Sequence, residues 1–220
     1  MYERILSVAD AGERGNLANF LARIVQLDDS AVVRMRGRGD GRLDVWAATG
    51  FDVLAVRSLA GSISPDDTAA GADQLLHVVR NADGSDMDPG FSMDSAWRGA
   101  LPPIGGFDHV DDVPARVLLD LAQRGATLAE EHGSSHGPPA SLLDQDVLSV
   151  SGNGYEVGIP MRVVFALGAM GFVPGFGATS DSVDPNETVR VRATATWLRL
   201  DARFGSLYRR RGGGLPLSVV

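Results

Sequence analysis

The chain has 220 residues, 44% of them hydrophobic and 22% charged, and its 28 acidic and 20 basic residues give a net charge of −8. It has no cysteine, and its basic residues other than histidine are all arginine. This composition excludes disulfide bonds, thiol nucleophiles, iron–sulfur clusters, cysteine zinc sites and lysine Schiff bases, and we predict no cofactor.

The charge is unevenly distributed along the chain. Residues 62–160 contain 4 arginines and 16 acidic residues, a net charge of −12, whereas residues 161–220 have a net charge of +4. The two segments could pair within one chain or between copies, so a homo-oligomer is one option. Because the sequence pI is about 4.9, nucleic acid is not expected as a partner.

The hydropathy pattern gives no sign of a membrane protein. No apolar run approaches the roughly 18 residues that a spanning helix needs. The apolar segment near the N-terminus is too short for a secretory signal and is interrupted by charge. The sequence therefore predicts a cytoplasmic protein with no membrane partner.

The first 57 residues predict a helix followed by a three-stranded meander. Asn16 is the predicted N-cap of the helix, whose apolar residues recur at helical spacing: Leu17, Phe20, Leu21, Ile24 and Val25. Residues 32–38 alternate between apolar and polar, and Asp40–Gly41 is a hairpin signal before the next strand. Phe51–Arg57 is the third predicted strand.

The middle of the chain predicts two helices separated by an aperiodic segment. Ser64-Pro65-Asp66-Asp67 combines a capping serine, a proline and first-turn acids, which predicts a helix start, with the helix ending near Arg80. Residues 82–112 have no periodicity but contain aromatic residues, which indicates a functional or packed segment. A second helix is predicted over residues 113–131.

The C-terminal part predicts a hairpin, a buried helix and three strands. An Asn-Gly turn joins two short strands around residues 148–157, an almost uncharged helix covers residues 160–170, and strands follow from Thr188. The two ends of the chain resemble each other, since each has an apolar helix, an alternating Val-Arg strand and a strand with tryptophan. This similarity predicts an internal αβββ pseudo-repeat, with two unrelated meanders as the alternative.

Together these signals predict an α+β fold in which antiparallel β-meanders pack against three to four helices. Residues 1–220 are predicted to form a single domain. The Gly-, His- and Pro-rich residues 132–139 are the best place for a division, should there be one.

Four arginines form the first candidate site. Arg34 and Arg36 share one strand face, and Arg190 and Arg192 share another, because alternate residues of a strand point the same way. If the strands are neighbours, the four side chains form an arginine-bearing sheet face, since guanidinium groups bind carboxylates and phosphates bidentately. The alternative is a solvated outer face, or one paired with the acidic middle segment.

A second candidate site lies in the aperiodic segment and includes Trp97, Arg98, Asp108 and His109. An Asp–His pair there could serve acid–base chemistry. The alternative is a surface cluster that caps the following helix. No set of His and acidic residues has convincing ligand spacing, so we predict no metal.

Three short segments carry a resemblance to a known family: Met161-Arg162-Val163-Val164 with its helix, Thr196-Trp197, and Phe204-Gly205-Ser206. On these residues the chain resembles a family of uncharacterised proteins from high-GC actinobacteria. The resemblance implies no activity, cofactor or catalytic residue.

These observations predict a non-enzymatic binding or regulatory protein. Its arginine-bearing face would contact an acidic protein partner or a small anionic ligand. The alternative is an enzyme acting on a small anionic metabolite, with arginine binding the substrate and Asp108 and His109 in acid–base roles. The lack of a recognisable catalytic constellation favours the first prediction.

Overall fold

The computed structural model describes residues 4–132, 138–175 and 183–212. In chain order, its strands are β1 (Ile5–Ser7), β2 (Val32–Gly37), β3 (Arg42–Ala48), β4 (Leu54–Ala60), β5 (Ser62–Ser64), β6 (Asp67–Gly71), β7 (Asp86–Met87), β8 (Asp108–Pro114), β9 (Asp146–Gly152), β10 (Tyr155–Pro160), β11 (Thr188–Ala193), β12 (Trp197–Ala202) and β13 (Gly205–Arg210). Its helices are α1 (Ala11–Leu27), α2 (Ala72–Arg80), α3 (Ala115–His132), α4 (Ala140–Leu143) and α5 (Met161–Ala169). The class is therefore mixed helix and antiparallel sheet, as predicted.

Eight strands form one continuous antiparallel sheet in the order β6-β2-β3-β4-β13-β12-β11-β8. Two small sheets accompany it, β5-β1-β7 and β10-β9. The large sheet joins the two ends of the chain, because β4 pairs with β13 through Ser206 opposite Val56 and Leu207 opposite Ala55. Four strands of the sheet come from residues before 72 and four from residues after 107.

Alternation in the sequence decides which side of each strand is buried. In β2, Val33 and Met35 have no exposed surface, while Arg34 lies on the opposite face. In β11, Val189 and Val191 are buried in the same way. The inward residues of the large sheet and the apolar faces of the helices form one core.

The helices lie in pairs on the inward side of the large sheet, α1 beside α2 and α3 beside α5. α1 lies next to β4 and α5 next to β13, so these two helices flank the place where β4 and β13 meet. Five described helices exceed the predicted three to four because α4, a single turn, has too few residues for a periodic signal.

Two predicted helix starts are wrong. α1 begins five residues before Asn16, since the carboxylate of Asp10 accepts the backbone N–H of Glu13 at 2.8 Å. Ser64-Pro65 has a cis peptide bond in the connection between β5 and β6, and α2 starts only at Ala72. The residues after Pro65 pair with β2 as strand β6 instead.

Part of the predicted division at residues 132–139 lies outside the described residues, which omit 133–137. Among the helices that the structure describes, none combines the length and the apolar character needed to cross a membrane.

Candidate functional site

The outward face of the large sheet carries all four arginines of the first predicted site. Arg34 and Arg190 even lie in one cross-strand row, which runs from Arg34 through Trp46, Val56, Ser206 and Asp201 to Arg190. However, β3, β4, β13 and β12 separate the strands that carry them. At about 4.8 Å per strand, the two arginine pairs lie roughly 24 Å apart, too far to share one anion.

Each of these arginines already has a carboxylate partner from a neighbouring strand. Arg34 binds Asp67 bidentately, with Nε–Oδ1 at 2.6 Å and Nη2–Oδ2 at 2.8 Å. Arg190 donates Nε to Asp112 at 3.0 Å. The remaining two form looser ion pairs, Arg36 with Asp67 at 4.0 Å and Arg192 with Asp201 at 3.4 Å. Asp67 and Asp112 belong to the acidic middle segment, residues 62–160. Their contacts fit the alternative in which the arginine face is paired with that segment.

The centre of the outward face is apolar. Trp46, Val56, Trp197 and Tyr208 form a buried cluster there, separate from the main core. Trp46 and Tyr208 rings lie 5.1 Å apart between centroids. This outer cluster lies over the β4–β13 pairing, so it belongs to both ends of the chain.

Residues 97–107, which we call the connector, cross the outer cluster. Trp97, Leu101 and Phe107 pack against it, and the Phe107 ring meets Tyr208 edge-on with centroids 5.6 Å apart. Beside the connector, a surface cleft of about 280 Å³ is lined by Arg98, Trp197, Tyr208 and other residues. The connector is thus held on the sheet by Trp97 and Phe107, whereas Phe91, earlier in the aperiodic segment, is 83% exposed.

Burial beneath the connector changes the acidity of Tyr208. Its side chain is withdrawn from water, and this desolvation raises the pKa of Tyr208 to about 12. The guanidinium carbon of Arg199 lies 5.2 Å from the centre of the Tyr208 ring and opposes this shift only in part.

The other half of the second predicted site lies on the edge strand β8. His109 Nε2 is 3.3 Å from Asp112 Oδ1, and the hydrogen bond from Arg190, assisted by His109, lowers the pKa of Asp112. The Asp108 carboxylate instead interacts with Tyr155 and raises the pKa of that phenol. Asp108 and His109 therefore have separate partners. Within the described residues, no group of three or more His, Asp or Glu side chains is placed to hold a metal ion.

On the opposite, helical side, a cleft of about 450 Å³ opens between α1 and the end of α5, near the β4–β13 pairing. From α1 it is lined by Asn16, Asn19, Arg23 and Gln26. Arg57 of β4 also lines it, and so do the apolar residues Met170, Phe172 and Phe204. We call this feature the helical cleft.

The sequence contained signals for the outer cluster and for the helical cleft, although we did not predict either of them. In β3, Val45, Trp46 and Ala47 are consecutive apolar residues, a pattern that indicates burial on both faces of a strand. The polar residues of α1 in the helical cleft have the spacing i, i+3, i+7 and i+10, which places them on one helix face. The residues that complete each site come from distant parts of the chain.

Several solved structures with a similar fold are sliding clamps. They include the beta sliding clamp of C. crescentus (13% identity, TM-score 0.53, 97% of this chain and 66% of that chain). A DNA polymerase sliding clamp from Bacillus subtilis has 12% identity, a TM-score of 0.57, and coverage of 98% and 66%. The DNA polymerase III beta subunit of Bartonella birtlesii, bound to griselimycin, has 14% identity, a TM-score of 0.53, and coverage of 97% and 66%. The chain thus spans about two thirds of the length of these clamps.

This likeness corrects two predictions made from the sequence. The predicted binding protein with an arginine-bearing face, and its alternative as an enzyme on a small anionic metabolite, are wrong, because the fold is that of DNA polymerase sliding clamps. The exclusion of nucleic acid as a partner is wrong for the same reason. It rested on net charge, which sums over all surfaces and says nothing about any one of them.

No curated protein sequence matches the chain. Two family descriptions do match it, and they meet near the start of the connector. A domain of unknown function (DUF8010) matches residues 1–99, and a second domain of unknown function (DUF8185) matches residues 102–214. Because the second match covers more than half of the chain, the protein belongs to the DUF8185 family.

Proposed function

We propose that the protein is a clamp-like component of DNA replication or repair that contacts DNA and associates with copies of itself. The observation that supports this most is the likeness to sliding clamps along nearly the whole chain, 94–98% of its residues in the clamps compared. A continuous sheet with helices on one side gives the protein two different surfaces, one for each kind of partner.

The internal pseudo-repeat is part of this proposal. The sheet order is symmetric about the β4–β13 pairing, with α1–β2–β3–β4 on one side and α5–β11–β12–β13 on the other. Equivalent helices, α1 and α5, lie next to the two central strands. A two-fold relation between these αβββ units would explain both features.

Self-association is the other half of the proposal. Residues 62–160 carry a net charge of −12 and residues 161–220 a net charge of +4, so oppositely charged parts of two copies would attract each other. Sedimentation velocity at micromolar concentrations should therefore give a species larger than 23.2 kDa.

Binding of a fluorescent DNA duplex, followed by anisotropy at low and moderate salt, tests the second part of the proposal. We expect saturable binding that weakens as salt rises, because phosphate contacts release counterions. An unrelated monomeric protein of similar net charge is the control and should not bind. A protein that stays monomeric and leaves the duplex anisotropy unchanged at low salt would refute the proposal.

Three sequence predictions stay part of the proposal. They are a single domain over residues 1–220, an actinobacterial origin and a cytoplasmic location. The large sheet supports the first, because a sheet shared by both ends should unfold in one transition, which calorimetry can measure. Trp97 and Arg98 stay predicted contact residues on the outward face, and so do Asp108 and His109 on β8.

A further inference from the structure

The helical cleft has a different electrostatic character from the outward sheet face. None of its lining residues is acidic, although the protein has a net charge of −8. Arg23 and Arg57, the two cations in the cleft, form no ion pair among the described residues. On the outward face, by contrast, Arg34, Arg36 and Arg190 all have carboxylate partners.

Arg57 is held in the cleft without an ion pair to any carboxylate of the described residues. It is half-buried on the helix-facing side of β4, and one Nη donates to the backbone carbonyl of Phe204. Its Nε is buried and has no hydrogen-bond partner within the described residues. Desolvation lowers the pKa of Arg57, and only the field of Glu13 among nearby carboxylates opposes this. A guanidinium in such a position is stabilised by an anion.

The polar residues of α1 extend this positive site into a line. Asn19, Arg23 and Gln26 offer amide and guanidinium N–H groups along one helix face, whereas the amide of Asn16 donates to the Glu13 carboxylate at 3.4 Å. The seven residues from Asn19 to Gln26 rise about 10 Å, which is longer than one phosphate needs and spans about two phosphates of a nucleic acid strand. Asn, Gln and Arg side chains are common donors to phosphate oxygens in protein–DNA interfaces.

We propose that the helical cleft binds consecutive phosphates of a nucleic acid backbone, with Arg23 and Arg57 as the cations and Asn19 and Gln26 as neutral donors. This inference rests on the proposed function, since it names the surface through which the protein contacts DNA. The apolar side of the cleft, formed by Met170 and Phe172, excludes water from the ion pairs and strengthens them.

The salt dependence of duplex binding tests the site. Each phosphate contact contributes about 0.9 to the slope of log K against log salt, so Arg23→Gln with Arg57→Gln should lower the slope by about 2. The matched control is Arg190→Gln with Arg192→Gln, which removes the same charge from the outward face and should leave the slope unchanged. An equal slope in the wild type and the cleft variant, or an equal loss in the control, overturns the inference.

A second variant covers the case in which loss of Arg57 prevents folding. Asn19→Asp changes an exposed residue of the cleft, keeps both arginines and places a negative charge among the phosphates. We expect it to weaken duplex binding at low salt with little effect on the melting temperature. Unchanged affinity in this variant counts against the site even if the double variant is unfolded.

A titration with inorganic phosphate separates this inference from the proposed function. NMR shifts of the Arg23 and Arg57 side chains, measured with phosphate and with the duplex, should both respond. If the protein self-associates and binds DNA but these shifts do not change, the cleft is wrong and the clamp proposal stands. If phosphate shifts them while the duplex does not bind, the assignment to nucleic acid is overturned together with the DNA part of the proposed function.

Discussion

Ionisation of Tyr208 should weaken the fold between pH 10 and 12. Tyr208 is only 6% exposed, because the connector and the outer cluster cover it. Burial raises its pKa from 10.0 to about 12, since the phenolate would lose the hydration that it has in the unfolded chain. The pKa of Tyr208 therefore reports how well the connector covers the sheet.

The sign and size follow from proton linkage. Above pH 10 the unfolded chain releases the Tyr208 proton, whereas the folded protein keeps it until about pH 12. The folded state then binds more protons, so the free energy of unfolding falls as pH rises through this window. A pKa difference of about two corresponds to about 2–3 kcal/mol of unfolding free energy. This stability is fully present below pH 10 and is lost by about pH 12.

Urea denaturation at several pH values between 9 and 12, for the wild type and Tyr208→Phe, measures this loss. The chain has no lysine and three tyrosines, so few other groups titrate in the window, and the variant isolates the contribution of Tyr208. We expect the wild type to lose about 2–3 kcal/mol more than the variant over this range. Parallel stability curves, or tyrosinate absorbance from Tyr208 appearing near pH 10, would mean that the connector does not bury the ring.

Three further predictions concern packing and charge. Leu207 lies in the buried contact between β13 and β4, so Leu207→Ala should lower the unfolding free energy, measured by urea denaturation, by about 2–5 kcal/mol. A loss below about 1 kcal/mol would mean that this contact is loosely packed. Gly152→Ala should cost about 1–3 kcal/mol in the same assay, because its Cβ would lie 2.1 Å from the Val110 carbonyl oxygen; an unchanged midpoint contradicts that close approach. Arg190→Gln should raise the pKa of Asp112 towards 3.8 in an NMR titration, because it removes the hydrogen bond that lowers this pKa. The variant should therefore lose less stability than the wild type as pH falls below that value. An unchanged Asp112 titration would show that the ion pair does not form in solution.

Local signals in the sequence predicted the elements that depend only on neighbours. The Asn-Gly turn was confirmed, with Asn153 and Gly154 at φ of 48° and 79° between β9 and β10. The alternation in β2 and β11 gave the correct buried sides. Helix starts were less predictable, because a capping motif such as Ser64-Pro65 fits a turn between strands equally well.

The pairing of β4 with β13 could not be predicted from local pattern, because about 150 residues separate the two strands. Both candidate surfaces depend on that pairing. The outer cluster brings Trp46 together with Tyr208, and the helical cleft brings Arg57 together with Phe204. Periodicity reports which face of an element is buried, but it carries no information about which distant element covers it.

Net charge misled the prediction of partners because it sums over all surfaces and does not describe any one of them. Asp67, Asp112 and Asp201 lie on the outward face, where they neutralise arginines of neighbouring strands. These carboxylates lie on the other side of the sheet from the helical cleft, and exposed charges more than about 10 Å apart are largely screened at physiological salt. Because none of the residues that line the helical cleft is acidic, it can attract a phosphate even in a protein with a net charge of −8. The salt slope is therefore the informative measurement of the proposed DNA binding, since it counts the phosphates contacted and does not depend on the total charge of the chain.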